Sequence, residues 1–368
     1  MKYYIITGEA SGDLHGSNLM KAIMEKDGDA EFRFWGGDRM KQAGGDMVMH
    51  YRDLAFMGFI EVAANIKTIL RNLKLCKRDI LSYQPDAVIL IDYPGFNLRI
   101  ADFTHKKGFK TFYYISPQVW AWKKSRIYQI KRTIDKMFVI LPFEKDFYAR
   151  HNVEVEFVGH PLLDAITEDD IRENPEGSQE KPVIGILPGS RKQEIMRMLP
   201  VMLKMGPEFP GYDFVVGAAP SIEDEFYFGL AGNNNIALSR EGSLKLLRRS
   251  SAAIVTSGTA TLETAIMNVP QVVCYKGSRV SYLIARWLVR VPFISLVNLI
   301  SGKEIVKELI QNDFTRPNLK IELEKILQPG KKDGIKKDYT ELRKKLGGPG
   351  ASQKTATGII NYIRETSR

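Results

Sequence analysis

Short, continuous apolar runs alternate along this chain with stretches of helical period, and the alternation occurs twice. Tyr3–Thr7, Glu31–Trp35, Ala87–Ile91, Thr111–Ile115 and Lys136–Ile140 read as strands, and Leu14–Lys26 reads as a helix between the first two. Ala87-Val-Ile-Leu-Ile91 is apolar at every position, the pattern of a parallel strand covered on both faces. The polar stretch Thr167–Pro182, with its Pro and Gly, breaks the pattern and reads as a linker. The alternation then restarts with Val183–Leu187, Asp213–Val216, Ala252–Val255 and Gln271–Tyr275. Strands alternating with helices predict an α/β architecture of doubly wound, Rossmann-like sheets. Two rounds predict two domains, residues 1–166 and 183–345, joined by a linker at 167–182. Residues 346–368 are expected to form a C-terminal helix that packs back on the first domain.

Doubly wound sheets bind ligands beyond the carboxyl ends of their strands, so the segments that leave those ends carry the candidate chemistry. Leu187-Pro-Gly-Ser-Arg191 leaves one strand and opens a helix. Gly189 lets the backbone pass close to a ligand, Ser190 is placed to cap the helix, and Arg191 adds a cation. Unsatisfied first-turn N–H groups beside a guanidinium make an anion site, and a diphosphate fits it. Val255-Thr-Ser-Gly-Thr-Ala-Thr-Leu-Glu263 repeats the same grammar downstream. Asp92 ends the Ala87–Ile91 run, where it either caps the following turn or acts as a base or hydroxyl-orienting group. Gly8-Glu-Ala-Ser-Gly-Asp13 reads as a loop that suits a phosphate or sugar as well as an ordinary turn. Its spacing is not G-x-G-x-x-G, which disfavours NAD, and neither a Walker P-loop nor a G-x-S-x-G elbow occurs. Asp27-Gly-Asp29 falls after a helix, at the end away from ligands, and reads as a turn.

Phe56–Leu81 repeats apolar residues close to a 3.6-residue period, including Phe59, Val62, Ile66, Ile69 and Leu70, with Lys67, Arg71, Lys74, Lys77 and Arg78 on the remaining surface. Such a helix packs on a core or lies in a membrane interface. Trp120 and Trp122 follow another strand end beside Lys123, Lys124 and Arg126. His15 and His160 fall near ligand-side loops without spaced partners.

The net charge of +10, from 53 basic and 43 acidic residues, favours a polyanionic partner without choosing one. No zinc-finger spacing or RNP-like aromatic string supports nucleic acid. Cys76 and Cys274 stand alone and read as buried thiols, not a metal site or a disulfide. No apolar run is long enough to span a bilayer, and the first residues lack a signal-peptide pattern, so a cytosolic protein is expected.

Taken in order, several stretches resemble the lipid-A-disaccharide synthases. They are Gly8–Asp13, Phe56-Met-Gly-Phe-Ile-Glu61, Ile91-Asp-Tyr-Pro-Gly-Phe-Asn97, Ser116-Pro-Gln-Val-Trp-Ala-Trp122, Leu141-Pro-Phe-Glu144, Val158-Gly-His160, Leu187–Arg191, Ser257–Glu263 and Asn298-Leu-Ile300. Each is weak alone, and the ordered set is specific. The resemblance implies a GT-B fold, two such domains facing a central cleft. It implies inverting transfer of 2,3-diacylglucosamine from UDP to the 6-hydroxyl of 2,3-diacylglucosamine 1-phosphate (lipid X). It further implies no cofactor and no metal, a peripheral place on the cytoplasmic face of the inner membrane, and contact with anionic lipids; a homodimer is compatible with it. By the same resemblance Asp92 is the base and Arg191 the group that stabilises the departing diphosphate. Gly189, Ser190, Arg191, Ser257, Gly258, Thr259, Glu263 and Asn298 bind UDP. Glu9, Ser11, Asp13 and Trp120 belong to acceptor-side loops. Phe59, Val62, Ile66, Ile69 and Leu70 meet the membrane or acyl chains. An ordinary aspartate titrates near ~4, so proton transfer to Asp92 is expected late along the reaction.

Overall fold

The computed structural model describes residues 1–54, 66–119, 125–166, 168–171, 181–232, 236–277 and 291–366. The chain forms two compact units, Met1–Asp164 with Leu346–Arg368, and Ala165–Lys345.

The first unit is built on a seven-stranded parallel sheet in the order β3-β2-β1-β4-β5-β6-β7. Its strands are β1 (Lys2–Ile6), β2 (Glu31–Gly36), β3 (Asp46–His50), β4 (Ala87–Ile91), β5 (Thr111–Tyr114), β6 (Lys136–Val139) and β7 (Glu156–Phe157). The five residues of β4 are fully buried, each apolar side chain contributing about 1.5–3 kcal/mol when removed from water. The order reverses between β1 and β4, and the register pairs Ile6 with Leu90. Residues just after Ile6 and just after Ile91 therefore emerge side by side at the switch point, the usual ligand position in such sheets.

The second unit repeats the plan with six strands in the order β10-β9-β8-β11-β12-β13. They are β8 (Val183–Leu187), β9 (Asp213–Gly217), β10 (Ala237–Ser239), β11 (Ser250–Thr256), β12 (Gln271–Tyr275) and β13 (Glu308–Ile310). Here the switch lies between β8 and β11, with Leu187 paired to Val255. The segments Pro188–Arg191 and Ser257–Thr259 thus leave neighbouring strands.

The strands absent from the hydrophobic pattern are β3, β7, β10 and β13, the four sheet edges. An edge strand is covered less than a central one, so its residues are mixed in polarity and leave no apolar run. The expected loop Gly8–Asp13 is corrected. The first helix spans Ala10–Met24, and Ser11-Gly12-Asp13 form its first turn. Ser11 and Gly12 obscured it because both types are poor helix formers in sequence terms.

The basic amphipathic segment forms the helix Ile66–Tyr83. Leu73, Cys76 and Ile80 face the core. Asp79 accepts hydrogen bonds from Tyr4 at 2.7 Å and from Arg33 at 2.9 and 2.7 Å, tying the helix to β1 and β2. Residues 55–65, including Phe59 and Val62, lie outside the described residues, as do Trp120 and Trp122. Within the linker region a short helix spans Glu168–Ile171. The C-terminal helix Ala351–Thr366 belongs to the first unit. Its first N–H groups are capped by Asp164, whose carboxylate accepts from Gly350, Ala351 and Ser352 at 2.6, 3.1 and 3.0 Å. Tyr362 stacks edge-on against Phe112 of β5.

Candidate functional site

At the first unit's switch point, β4 ends in Asp92 and β1 ends at Thr7-Gly8-Glu9. Asp92 and Tyr93 both adopt left-handed backbone, with φ of +46° and +49°, before Pro94 starts the helix Pro94–Lys106. Glycine is required at position 8, because a Cβ there would stand 2.3 Å from the Tyr93 ring. That ring stacks on Phe96 at 5.5 Å. Burial, and then the Glu9 carboxylate beside it, raise the Asp92 pKa to about 7, while the Tyr93 N–H pulls it the other way. This corrects the expectation of an ordinary aspartate. A carboxylate near neutrality has the pKa that suits a general base at working pH. Ser11 donates to Glu9 Oε1 at 3.0 Å, which fixes the second carboxylate.

Asp13 does not join this group. It is buried in the first helix, and its carboxylate accepts N–H bonds from Gly37, Arg39 and Met40 at 2.7, 3.1 and 3.1 Å. It caps the helix Asp38–Ala43 and has a structural role. Asp27, in the turn at the opposite end of β1, accepts the Tyr3 hydroxyl at 2.9 Å.

At the second switch point, β8 runs into Pro188-Gly189-Ser190-Arg191. Gly189 has φ +110°, and a Cβ there would meet Glu194 Oε2 at 2.9 Å. The following helix spans Lys192–Met202, and its N-cap is Arg191 without a side-chain cap. Ser190 is therefore not the cap expected from sequence; it lies one residue too early. It is exposed. The Arg191 side chain is half-exposed and donates to Glu194 Oε1 at 2.9 Å, so a carboxylate three residues on holds the guanidinium at the strand end.

Gly258 is the N-cap of the helix Thr259–Ile266, and both Gly258 and Thr259 are exposed. Ser257 is already engaged. Its N–H donates to Cys274 O at 3.0 Å and its hydroxyl to Ile294 O at 3.0 Å. The anion-binding reading thus narrows to Gly258, Thr259 and the turn that they open. Glu263 accepts the Ser243 hydroxyl at 2.7 Å, and burial raises its pKa.

Asn298 is engaged inside its own unit. It is fully buried. Its Oδ1 accepts from Ile305 and Val306 N–H at 2.8 and 3.0 Å, and its Nδ2 donates to Val306 O and Glu308 Oε1, both at 2.9 Å. Glu308 in turn accepts from Ile294 N–H, Ser295 N–H and the Ser295 hydroxyl at 2.9, 3.0 and 2.8 Å. Asn298 braces the backbone at Ile305 and Val306.

Two features were missed. Asn97 and Tyr113 both donate to the Asp92 carbonyl, at 2.8 and 2.5 Å. Asn97 ends the stretch Ile91-Asp-Tyr-Pro-Gly-Phe-Asn97, five residues after Asp92, and spacing alone assigns it no partner. The second feature is a groove of about 540 Å³ between the Ile66–Tyr83 and Pro94–Lys106 helices. Ile66, Leu70, Leu73 and Phe103 line it, with Lys77, Arg99 and Lys106 among them. Ile66 and Leu70 are 42% and 55% exposed. Ile69 differs: it is half-buried and packs against the core. His15 and His160 are buried, and burial lowers their pKa values to about 4 and 3, so they stand neutral. Cys76 and Cys274 are buried free thiols.

Solved structures share the architecture. The glycosyltransferase of kitacinnamycin aligns with a TM-score of 0.66 at 12% identity, over 98% of this chain and 99% of that one. A structure described as a UDP-N-acetylglucosamine 2-epimerase of Listeria monocytogenes aligns at 0.63 and 15% identity, over 99% and 97%. At such identities the likeness shows the fold, that of GT-B enzymes. Sequence relatives are nearer. The lipid-A-disaccharide synthase of Syntrophus aciditrophicus is 39% identical over 98% of both chains. That of Geobacter metallireducens is 37% identical over 98% of this chain and 96% of its own. A family model described as lipid-A-disaccharide synthetase matches residues 3–359. The chain belongs to the lipid-A-disaccharide synthase family of glycosyltransferases.

Proposed function

We propose that the chain transfers 2,3-diacylglucosamine from UDP to the 6-hydroxyl of 2,3-diacylglucosamine 1-phosphate, with inversion. The observation that carries the chemistry is Asp92, a carboxylate at a sheet switch point with its pKa raised to about 7. In this reading the acceptor oxygen attacks the anomeric carbon while its proton passes to Asp92. The bond from that carbon to the diphosphate oxygen breaks, and UDP leaves as an anion without needing a proton. A single base therefore suffices, unlike glycoside hydrolysis, where a second carboxyl protonates the leaving group. Arg191, with the N–H groups of the turn at Gly258-Thr259, stabilises charge growing on the diphosphate. Glu9 and Ser11 face the acceptor side, and Glu263 the ribose. A guanidinium and helix N–H groups do the work of a metal here, and turnover is expected to survive a chelator.

Both substrates carry acyl chains. The exposed Ile66 and Leu70, with Lys77, Arg99 and Lys106 beside the groove, suit an interface of apolar tails and anionic headgroups. Asp102, the acidic residue of the groove, is paired with Arg132 at 2.7 Å, so the surplus there is cationic. The chain would work at the cytoplasmic face of the inner membrane, and no helix among the described residues is long and apolar enough to cross it.

The test is direct. Purified protein, UDP-2,3-diacylglucosamine and lipid X should give UDP and a β-1,6-linked disaccharide 1-phosphate, read by mass spectrometry and NMR. Absence of the disaccharide, with the protein folded and binding UDP, would refute the reading.

A further inference from the structure

We propose that Asn97 and Tyr113 are positioning residues for the Asp92 carboxylate, clamping the Asp92 carbonyl in a left-handed turn that keeps the side chain off the following helix. The inference rests on Asp92 as the base.

The turn is unusual. Asp92 and Tyr93 are consecutive non-glycine residues at φ +46° and +49°, a conformation such residues adopt rarely and hold where the surroundings impose it. Two buried donors impose it here. Asn97 Nδ2 reaches the carbonyls of Asp92, Ile91 and Ile6 at 2.8, 3.2 and 3.4 Å, bridging β4 and β1 across the switch point. Tyr113, from β5, donates its hydroxyl to the same Asp92 carbonyl at 2.5 Å. Both residues are fully buried.

The conformation has a chemical consequence. An aspartate at the mouth of a helix ordinarily turns its carboxylate onto the first-turn N–H groups. A carboxylate so bonded is a weaker base. The helix Pro94–Lys106 has Tyr93 as its N-cap and receives no side-chain cap. The clamp thus holds the turn from which the carboxylate leaves the strand end; there the carboxylate accepts the N–H of Tyr93, the residue before the helix, and burial with the Glu9 charge keeps it basic.

Tyr113→Phe keeps the ring and removes the hydroxyl that holds Asp92. The expected result is a tenfold or greater fall in kcat, with KM for the UDP-sugar within twofold. The acid limb of the kcat/KM profile should also move down by at least half a pH unit, as the carboxylate relaxes onto the helix. Asn97→Ser, read in the same way, serves if Tyr113→Phe does not fold. An acid limb that stays in place overturns the proposal whether or not kcat falls, because a structural loss lowers the rate without moving a titration. Asp92→Asn is assayed in parallel. If it retains turnover, the base reading itself fails. If it is inactive and the limb of Tyr113→Phe is unmoved, the clamp alone fails.

Discussion

A pH profile tests the reading of Asp92 most sharply. Its pKa moves from the ordinary 3.8 to about 7, which corresponds to about 4 kcal/mol in favour of the protonated form at 1.36 kcal/mol per unit. Burial is the larger cause and Glu9 the second. A base that titrates there is about half ionised at pH 7 and about 1% ionised at pH 5. The log of kcat/KM should therefore rise with unit slope from pH 5 and level off above ~7.5. An unperturbed aspartate would already be about 90% ionised at pH 5, and the profile would be flat. The perturbation that divides the two causes is Glu9→Gln, which removes the charge but can still accept from Ser11. Its limb should fall by about one pH unit, the usual scale of a nearby like charge, and stay well above that of an exposed carboxylate because burial persists. The assay is release of UDP across pH 5–9, with UDP affinity measured at each pH to remove its own titration. A flat wild-type profile from pH 5 to 8, or a Glu9→Gln limb that does not move, would refute the argument.

Arg191→Ala is expected to lower kcat by about 10²–10³, the usual loss for a donor aimed at developing charge; a variant within tenfold of wild type removes Arg191 from the chemistry. Ile66→Ser with Leu70→Ser should weaken binding to vesicles containing anionic lipid while leaving the urea midpoint in place. Leu73→Ala, at a site 6% exposed, should instead cost about 2–5 kcal/mol of stability. If the double serine variant unfolds, those two side chains belong to the core. His15 and His160 stay neutral in the fold down to about pH 4 and 3, whereas the unfolded chain protonates them near ~6.5. Below that pH the unfolded state binds the extra protons, so stability falls as pH drops from ~6.5 toward 4, by up to about 1.4 kcal/mol per pH unit for each histidine. Denaturant midpoints at pH 7, 6 and 5 check this, and a His15→Asn, His160→Asn variant should lose that part of the slope.

The central strands were legible because complete burial leaves an unbroken apolar run, as in Ala87–Ile91. The edges were not, because Asp46–His50 has no fully buried position and Glu308–Ile310 has one, Leu309, between two half-buried residues. Legibility of the site followed chain order. Asp92, Arg191 and the turn at Gly258 sit directly after apolar runs, so counting to the end of a strand finds them. What sequence could not show was the second sheet neighbour. Glu9 stands beside Asp92 because β1 pairs with β4 across 84 residues of chain, Tyr3 opposite Ala87. The raised pKa of Asp92 depends on that pairing and on burial, neither of which a motif records. Phe59, Val62 and Trp120 fall outside the described residues and remain expectations from sequence.

A motif also cannot separate a polar residue that touches substrate from one that holds the backbone; the hydrogen-bond capacity of the side chain can. Asp13 and Asp164 each accept three backbone N–H groups, and Asn298 meets two N–H groups, a carbonyl and a carboxylate. Residues so engaged have little left for a ligand. Replacing Asn298 with Ala would strand the Ile305 and Val306 N–H groups and take a donor from Glu308, at about 1–3 kcal/mol for each group left unsatisfied in the interior. The expected outcome is a fall of several kcal/mol in unfolding free energy, with UDP affinity of the folded fraction within about threefold of wild type, since a full loss of one contact would cost tenfold per 1.4 kcal/mol. Asp92→Asn should do the reverse, abolishing turnover with the denaturation midpoint unchanged or raised, because the buried charge at that position is removed. Urea titration and UDP calorimetry on the two variants decide between the roles. An Asn298→Ala protein of wild-type stability that no longer binds UDP would return Asn298 to the nucleotide and show that saturated hydrogen bonding does not exclude a ligand role.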